Sequence, residues 1–457
     1  MTTLSPLGAA TGDLARQVTG TVLVPGDPAL ADGTAAFNTA WPVRPIAVVA
    51  AADEADVAAA VRWAAARRLP VAVQATGHGL VAPVEDAVLV TTSRLSHVRV
   101  DPVSRTARVG AGVRWAQVIE AAAPHGLAPL NGSTSHVGVA GYTLGGGLGL
   151  MARRYGFAAD HVRRLRLVTA DGAIREVDAT TDPELFWAVR GGKGDFGIVT
   201  EIEFGLVPVT TLYGGGVYFP GQAAAEVLHA YRQWVETLPE DTTTSVGLLR
   251  LPPDPALPEP LRGRFVVHLR YAHLGSAEEG AALLAPMRSA APRLIDSVGE
   301  MPYTAVDSIY MDPTDPMPCH DRGTALSALP AEAVDRLLAV AGPGADVPVA
   351  MVDIRHMGGA LARPAAVPNA VAGRDAAFSV YALGVLLGPA AGAVPAAVGA
   401  VIDAVAPWSS GSLINFLGPA DRERVRSLWP EADLARLLAA KRRVDPYGIF
   451  TTGHSIG

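Results

Sequence analysis

A histidine flanked by glycines, in the segment Gln74–Gly79, offers the most reactive group in the sequence. Glycines on both sides let the backbone turn tightly and approach a bulky partner without clashes from Cβ atoms. At the tip of such a turn a neutral His78 presents a nucleophilic ring nitrogen. An ordinary turn with a polar tip fits the same pattern, so this loop alone does not decide between the two interpretations.

Two further glycine-rich stretches follow. Seven glycines fall between Gly132 and Gly149, and backbone N–H groups in such a run are free to face an anion such as a pyrophosphate. The run lacks the strand–GxGxxG–helix pattern of dinucleotide-binding folds and the GK[ST] ending of a P-loop. A glycine-rich structural corner is the alternative. Residues 190–200 add a third set of bare N–H groups that leads into a strand.

Length and composition limit the class of protein. The 457 residues exceed the usual size of one hydrophobic core, so two domains are expected. The net charge of −7 disfavours a nucleic-acid partner, and the single cysteine, Cys319, excludes an internal disulfide and a cysteine-based metal site. No other metal site is expected. No secretory pattern or membrane-length apolar stretch is present, so we expect a soluble, cytoplasmic protein without a membrane partner.

Hydrophobic periodicity predicts the elements that position these loops. A strand, a helix stopped by Pro70 and a second strand form a βαβ unit that leads into the histidine turn. Turn residues predict two hairpins, the second around Asp171-Gly172. In the first half the predicted elements are strands at 46–50, 71–73, 87–92 and 201–204, hairpins at 98–109 and 165–177, and helices at 56–68 and 115–123.

The second half is predicted to mix strands and helices. Strands are expected at 265–269 and 349–354 and helices at 223–237 and 276–285, with a charged helix pair at 420–445. Ser276 is a suitable N-cap, and Pro286 is expected to end the second of these helices. The Pro-rich surroundings of His320 and Cys319 favour an incidental loop over a thiol–imidazole pair.

Together and in this order, the three glycine-rich stretches resemble the FAD-binding domain of the vanillyl-alcohol oxidase / p-cresol methylhydroxylase (PCMH) superfamily, and most closely its berberine bridge enzyme-like branch. The resemblance resumes at residues 352–360, 414–418 and 441–450. It implies an α+β fold, with a two-part PCMH-type FAD-binding domain and a substrate domain whose antiparallel sheet is backed by helices. The domains it implies are an N-terminal arm at 1–41, the FAD-binding domain at 42–208, the substrate-binding domain at 209–410, and a C-terminal segment at 411–457 that returns to the FAD domain.

The resemblance implies FAD held by a single covalent link from His78 to the 8α-methyl of the isoalloxazine. A second link, found in many relatives, needs a Cys where this chain has Thr134. Gln74 and Asp195 replace a usual Arg and Asn, and Val137 matches a position that controls oxygen access. The implied cofactor-binding residues are Gln74, Ala75, Thr76, Gly77, His78, Gly79, Leu80, Ser133, Thr134, Val137, Gly138, Val139, Gly141, Tyr142, Thr143, Gly145, Gly146, Gly149, Leu150, Gly194, Asp195, Gly197, Ile198, Val199, Phe450 and His454.

The usual catalytic tyrosine of the family is Leu413 here, so another group must remove any proton. Asp353 and Arg355 alternate along a predicted strand and share one face, where they could activate a hydroxyl, bind an acidic substrate or form a structural ion pair. The other candidate catalytic residues are Tyr381, which could instead be a core tyrosine, Tyr142 and Asn415; His136 and His454 could act as bases or contact the cofactor.

The resemblance implies an FAD-dependent oxidoreductase. A hydride would pass from a small organic substrate, an alcohol, amine or activated C–H compound of secondary metabolism, to the flavin, and O2 would reoxidise it to give hydrogen peroxide. The resemblance favours an oxidase over a dehydrogenase that uses another acceptor, and a sugar or oligosaccharide oxidase is one alternative for the substrate. A flavin-carrying protein with a redox-neutral or no catalytic role is the other.

Overall fold

The structure is a computed structural model that describes residues 6–457. Residues 1–5 of the predicted N-terminal arm lie outside the described residues. In the described part, the helices before residue 210 are α1 (Pro6–Ala15), α2 (Leu30–Gly33), α3 (Glu54–Ala66), α4 (Trp115–Ala122), α5 (Val139–Leu144), α6 (Ala152–Tyr155) and α7 (Pro183–Gly192). No helix of residues 6–457 is long and apolar enough to cross a membrane.

The predicted βαβ unit is present and belongs to a four-stranded sheet. Its strands are β1 (Thr21–Leu23), β3 (Ala47–Ala50), β4 (Val71–Gln74) and β6 (Val88–Thr91), in the order β1-β3-β6-β4, and a separate pair is formed by β2 (Val43–Arg44) and β5 (Val84–Glu85). The strands β3, β6 and β4 are parallel. The Asp53 side chain caps α3 by accepting from the Asp56 N–H. The buried face of α3 covers the sheet, and β4 leads directly into the histidine loop.

Both predicted hairpins lie in a second, five-stranded antiparallel sheet. Its strands are β7 (Val98–Asp101), β8 (Thr106–Gly110), β9 (Val162–Val168), β10 (Ile174–Asp178) and β11 (Ile198–Gly205), in the order β10-β9-β11-β8-β7. Helices α4, α5 and α7 pack on this sheet around a core that includes Trp115 and Phe186. The second and third glycine-rich stretches border this core, so the sheet supports both of them.

The second half of the chain builds a nine-stranded antiparallel sheet. Its strands are β12 (Thr211–Pro220), β13 (Thr242–Arg250), β14 (Phe265–His273), β15 (Ile295–Asp296), β16 (Gly299–Pro302), β17 (Cys319–Leu326), β18 (Met351–His356), β19 (Phe378–Val385) and β20 (Ser409–Gly411). The helices of this half are α8 (Ala224–Trp234), α9 (Ala277–Arg288), α10 (Ala331–Ala341), α11 (Val394–Ala404), α12 (Arg422–Arg426) and α13 (Glu431–Val444).

Alternation along these strands gives the large sheet two different faces. Apolar residues such as Val352, Ile354 and Val380 point to the core formed with α8–α11. The residues between them are polar or aromatic, and they form what we call the inner face: Tyr218, His268, Arg270, Asp321, Asp353, Arg355 and Tyr381. The inner face looks away from the helices, and its Arg355 borders the cleft described below.

Two sequence-based expectations need correction. Helix α9 does not end at Pro286 but continues to Arg288, because Met287 is fully buried and Arg288 pairs with Asp296, which together hold the last turn. Cys319 and His320 do not lie in an incidental loop. They begin β17, because Cys319 pairs with Val385 of the neighbouring strand.

The C-terminal segment packs against the third glycine-rich stretch through one buried lysine. The ammonium of Lys441 donates to the carbonyl oxygens of Asp195 and Phe450 and to the carboxylate of Asp445, each at 2.7 Å. Asp445 in turn accepts from the N–H groups of Ile449 and Phe450. This network holds the chain end against the third glycine-rich stretch.

Replacement of Lys441 by methionine is expected to lower the free energy of unfolding by about 3–5 kcal/mol. The change removes one partner of a buried ion pair and leaves the Asp445 carboxylate with uncompensated charge. Urea unfolding measures the loss. The same substitution at the exposed neighbour Arg442 is the control, with a change within about 0.5 kcal/mol. Equal losses in the two variants would contradict the assigned role.

Candidate active site

A cleft of about 390 Å³ is bordered by all three glycine-rich stretches, by Arg355 of the inner face and by the segment 415–416. It brings together 19 of the residues singled out in the sequence: Gln74, Ala75, Thr76, Gly77, His78, Gly79, Leu80, Ser133, Val137, Gly138, Gly141, Tyr142, Gly194, Asp195, Gly197, Val199, Arg355, Asn415 and His454.

Other predicted site residues lie behind this lining. Val139, Leu150, Ile198 and Phe450 are buried in hydrophobic cores, because their side chains point away from the cleft. The remaining residues that do not border the cleft are Thr134, His136, Thr143, Gly145, Gly146, Gly149, Asp353 and Tyr381. The cleft also has lining residues that sequence reasoning did not single out, notably Lys193, Leu148, Phe416 and Thr452.

The His78 imidazole is held in one orientation by three neighbours. Its ring stacks on Phe37 with centroids 4.0 Å apart, and the His136 ring meets it edge-on at 5.7 Å. Its Nδ1 lies 2.8 Å from the Thr76 hydroxyl. Burial, with the positive charge of Arg114 and then His136, lowers the pKa of His78 to about 3. The imidazole is therefore neutral near pH 7, the state in which a ring nitrogen is nucleophilic.

The N-terminal arm builds the wall behind the histidine loop. Gly77 has φ +72°, and a Cβ there would lie 2.5 Å from the Cβ of Ala36, so only glycine fits this turn. Phe37 donates its N–H to the carbonyl oxygen of Thr76, and Asn38 donates to that of Gly77. The arm is weakly patterned in the sequence, which is why reasoning from periodicity did not assign it to the site.

The second glycine-rich stretch contains glycines that pack against the ring of Tyr142 and others that border the cleft. Cβ atoms at Gly132 and Gly147 would lie 2.9 and 2.6 Å from the ring of Tyr142. By contrast, a Cβ at Gly141, or at Gly194 of the third stretch, would meet nothing within 4 Å and would project into open space. The structural-corner interpretation thus accounts for some of these glycines, and the others leave room for a ligand.

The same stretch leaves one buried polar group without a partner. In the described part of the chain the Tyr142 hydroxyl makes no hydrogen bond, and burial raises its pKa well above the usual range. The Asn415 amide donates to the Tyr142 carbonyl oxygen at 2.8 Å and holds this residue at the cleft wall. A buried, unpartnered hydroxyl beside Cβ-free backbone fits a large polar ligand such as FAD.

Lys193 is a functional candidate that sequence reasoning missed. It has φ +56°, a conformation unusual for a residue with a side chain, and its ammonium lies 4.0 Å from the Cβ position of Gly79 across the cleft. Burial lowers its pKa to about 8, with a partial offset from Asp321. The signal was available, because Lys193 and Lys441 are the only lysines in the sequence.

Replacement of Lys193 by methionine is expected to raise the free energy of unfolding of the flavin-free protein by up to about 3 kcal/mol at pH 7. The folded-state pKa of about 8 lies below the usual 10.5, so the charged form destabilises the fold below pH 8. That penalty disappears as pH rises from 8 to above 10.5, and the advantage of the variant should shrink with it. Urea unfolding at pH 7 and pH 10.5 measures this; an equal gain in Lys193→Arg, which keeps the charge, would contradict it.

On the inner face, Asp321 and Tyr381 form a second pair of titratable groups. They lie on adjacent strands, and the Tyr381 phenol lies close to the Asp321 carboxylate. Burial raises the pKa of Asp321 to about 6, although Tyr381 and then Lys193 act to lower it. The Tyr381 ring meets the cleft-lining Phe416 edge-on at 5.4 Å. Asp321 was not singled out in the sequence, because only strand pairing brings it to Tyr381.

The other predicted polar residues fall into two groups. Asp353 is 1% exposed and lies between two arginines, so it forms a structural ion pair and does not reach the cleft. His454 does border the cleft; its Nε2 lies 2.7 Å from the Gly418 carbonyl oxygen, and burial lowers its pKa to about 4. Leu413 is buried and has no polar atom to offer.

Comparison with known proteins agrees with this geometry. The family described as an FAD-binding domain matches residues 45–178. The chain is 34% identical to the (R)-6-hydroxynicotine oxidase of Paenarthrobacter nicotinovorans over 165 residues, 36% of each chain. It is 27% identical to an uncharacterised FAD-linked oxidoreductase of Bacillus subtilis over 310 residues, 66% of each. A third relative is an FAD-dependent monooxygenase of Fusarium proliferatum. The matched segments cover between 36% and 66% of the length of these three relatives.

Solved structures share the fold across nearly the whole chain. The 6-hydroxy-D-nicotine oxidase from Arthrobacter nicotinovorans superimposes with a TM-score of 0.84 at 24% identity, covering 96% of this chain and 98% of that one. The xylooligosaccharide oxidase from Myceliophthora thermophila gives 0.85 at 21% identity, covering 98% and 99%. The predicted α+β, PCMH-type fold is thereby confirmed.

Residues 45–178 thus form an FAD-binding domain, and the fold of the chain is shared with solved oxidases. This family match agrees with the resemblance of the three glycine-rich stretches to the vanillyl-alcohol oxidase / PCMH superfamily.

Proposed function

We propose that this protein is an FAD-dependent oxidase of a small organic substrate and holds its flavin through one covalent bond from His78. The observation that carries the proposal is a neutral, oriented imidazole at the wall of the cleft that the glycine-rich stretches enclose. When bound, FAD supplies a hydride acceptor and returns the electrons to O2, which yields hydrogen peroxide.

A single covalent bond is proposed because no cysteine borders the cleft among the described residues, and the second imidazole that does, His454, is engaged through Nε2 with the Gly418 carbonyl oxygen. Thr134 lies outside the lining. Cys319 is buried, and burial raises the pKa of its thiol to about 12, so a thiolate does not form near pH 7. The glycine stretches would hold the pyrophosphate by their N–H groups, and Val137 at the cleft wall is proposed to leave access for O2.

Proton removal is assigned to the Asp321–Tyr381 pair. Oxidation of an alcohol removes a hydride from carbon and a proton from oxygen, so a base must accept that proton. The Tyr381 ring lies against the cleft-lining Phe416 and not in the lining itself, so the substrate proton is proposed to reach the phenol through one bridging water while the phenol passes its own proton to the Asp321 carboxylate. With a pKa of about 6, Asp321 is ionised and ready to accept at neutral pH.

The absorption spectrum of the purified protein, before and after acid precipitation, tests this function. We expect a yellow protein whose colour remains with the precipitate, and rapid reoxidation in air after reduction by dithionite. Release of the colour into the supernatant would show that the flavin is not covalently bound. A coloured protein whose flavin no alcohol, amine, organic acid or oligosaccharide reduces would instead indicate a flavin carrier without this activity.

A further inference from the structure

Arg355 is held rigidly at the edge of the cleft. Its Nε donates to the Asp353 carboxylate at 2.7 Å. Its guanidinium carbon lies 4.9 Å from the ring centroid of Phe416 and 5.1 Å from that of Tyr310, whose hydroxyl is fixed 2.8 Å from Ser245. The side chain is 13% exposed, and that exposed part borders the cleft. An arginine packed in this way loses little rotamer freedom when it binds a ligand.

The charge of Arg355 is not neutralised by its anchor. The other oxygen of Asp353 accepts from Nη1 of Arg270 at 2.9 Å, so one carboxylate serves two guanidinium groups and leaves one net positive charge. Arg270 is 2% exposed, and its Nε donates to Nδ1 of His268, so it does not itself reach the cleft. Asp312 lies in the surroundings but forms no ion pair with Arg355 among residues 6–457. The unbalanced charge therefore lies at the cleft wall, where an anion would stabilise it.

The free donors of Arg355 have the geometry of a carboxylate receptor. Only Nε is used by Asp353, and within the described chain neither terminal NH2 group donates to a protein acceptor. Paired guanidinium N–H groups match the two oxygens of a carboxylate in a planar, bidentate arrangement. The ring of Phe416, which borders the cleft beside the guanidinium, provides an apolar wall for the body of such a ligand.

We propose that the substrate of this protein carries a carboxylate, and that Arg355 binds it through a bidentate pair. Arg270 and Asp353 act as positioning residues, because they orient the Arg355 guanidinium without touching the ligand. The origin of Arg355 in the large sheet separates this site from the glycine-rich stretches, which all come from the FAD domain. This inference rests on the proposed function where it says that the carboxylate belongs to the substrate of the reaction. The binding of a carboxylate by Arg355 does not depend on that function.

Titration of the flavin-loaded protein with benzoate, benzamide and inorganic phosphate, followed by calorimetry and by the flavin spectrum, tests the proposal. Benzoate is expected to bind at least about 30-fold more tightly than its neutral isostere benzamide, since only benzoate offers a charge-assisted bidentate pair. Arg355→Gln should weaken benzoate binding by about 30-fold or more and leave benzamide unchanged. Arg355→Lys should weaken it less, by about fivefold, because an ammonium keeps the charge without the fork.

Two further variants serve as controls. Asp353→Asn keeps the guanidinium but loosens its anchor, so a loss of about three- to tenfold in benzoate affinity is expected. Arg336→Gln removes an exposed arginine that also stacks on an aromatic ring, Trp408, and should change nothing. If Arg355→Gln fails to fold, Arg355→Lys and Asp353→Asn carry the test.

Three results would overturn the proposal: equal affinity for benzoate and benzamide, unchanged benzoate binding in the Arg355 variants, or phosphate binding as tight as benzoate, which would indicate general anion attraction. A failure of the proposed function would be detected by a different measurement from a failure of this inference. Loss of covalent flavin contradicts that function, while calorimetry still reports whether Arg355 binds benzoate. Loss of FAD from Arg355→Gln with benzoate binding retained would assign Arg355 to the cofactor instead.

Discussion

Replacement of His78 by alanine is expected to abolish covalent flavin entirely, leaving at most FAD that acid releases. The substitution removes the one imidazole at the cleft wall whose orientation is held by stacking and whose neutral form dominates near pH 7. His454, the other imidazole that borders the cleft, is engaged through Nε2 with the Gly418 carbonyl oxygen. In-gel flavin fluorescence after denaturation measures the covalent fraction directly. Fluorescence retained by His78→Ala would contradict the assignment and point to another nucleophile.

Variants of the residues that contact the His78 ring distinguish the need for the nucleophile itself from the need for its orientation. Thr76→Val removes the hydroxyl 2.8 Å from Nδ1 while keeping the shape of the residue, and Phe37→Leu removes the stacked ring. Both leave His78 in place, so covalent flavin should still form but about tenfold more slowly, because the ring is less well oriented. Incorporation that proceeds at the wild-type rate in both variants would show that the surrounding contacts do not position the histidine.

The parts of the site that the sequence predicts are those whose chemistry is local. His78 between two glycines, and the glycine-rich stretches in their order, are visible without knowing how distant segments meet. Lys193 lies inside one of those stretches, but its strained backbone and its position at the cleft wall become visible only in the folded chain. Phe37 was missed for a different reason: the arm has no periodicity, and only its hydrogen bonds to the histidine loop place it there.

The parts that could not be predicted depend on which strands become neighbours. Alternation placed Asp353 and Arg355 on one face, and the structure agrees. Which of the two reaches the cleft is decided by Arg270, which comes from a strand two positions away in the sheet and draws the carboxylate inward. Asp321 meets Tyr381 through the same kind of non-local pairing. The hairpins were predictable because the turn between their strands is short and has characteristic residues.

Replacement of Tyr381 by phenylalanine or of Asp321 by asparagine is expected to slow reduction of the flavin by substrate about 10²- to 10³-fold, the range that general-base catalysis contributes. Both changes preserve volume, so binding of the substrate should change much less than the rate. Stopped-flow measurement of flavin reduction under anaerobic conditions separates the two quantities. A reduced affinity with an unchanged limiting rate would assign the pair to substrate binding instead.

The pH dependence of that rate distinguishes a base from a structural pair. Because burial raises the pKa of Asp321 to about 6, the carboxylate is protonated and unable to accept below pH 6, and the limiting rate should rise about tenfold per pH unit until it levels off above pH 6. Asp321→Asn cannot titrate, so its residual rate should lose this rise. Ser379→Ala, on the inner face opposite Arg355, is the matched control and should keep the wild-type profile. A rise near pH 6 that persists in Asp321→Asn would move the base to another residue and leave Tyr381 as a packing partner of Phe416.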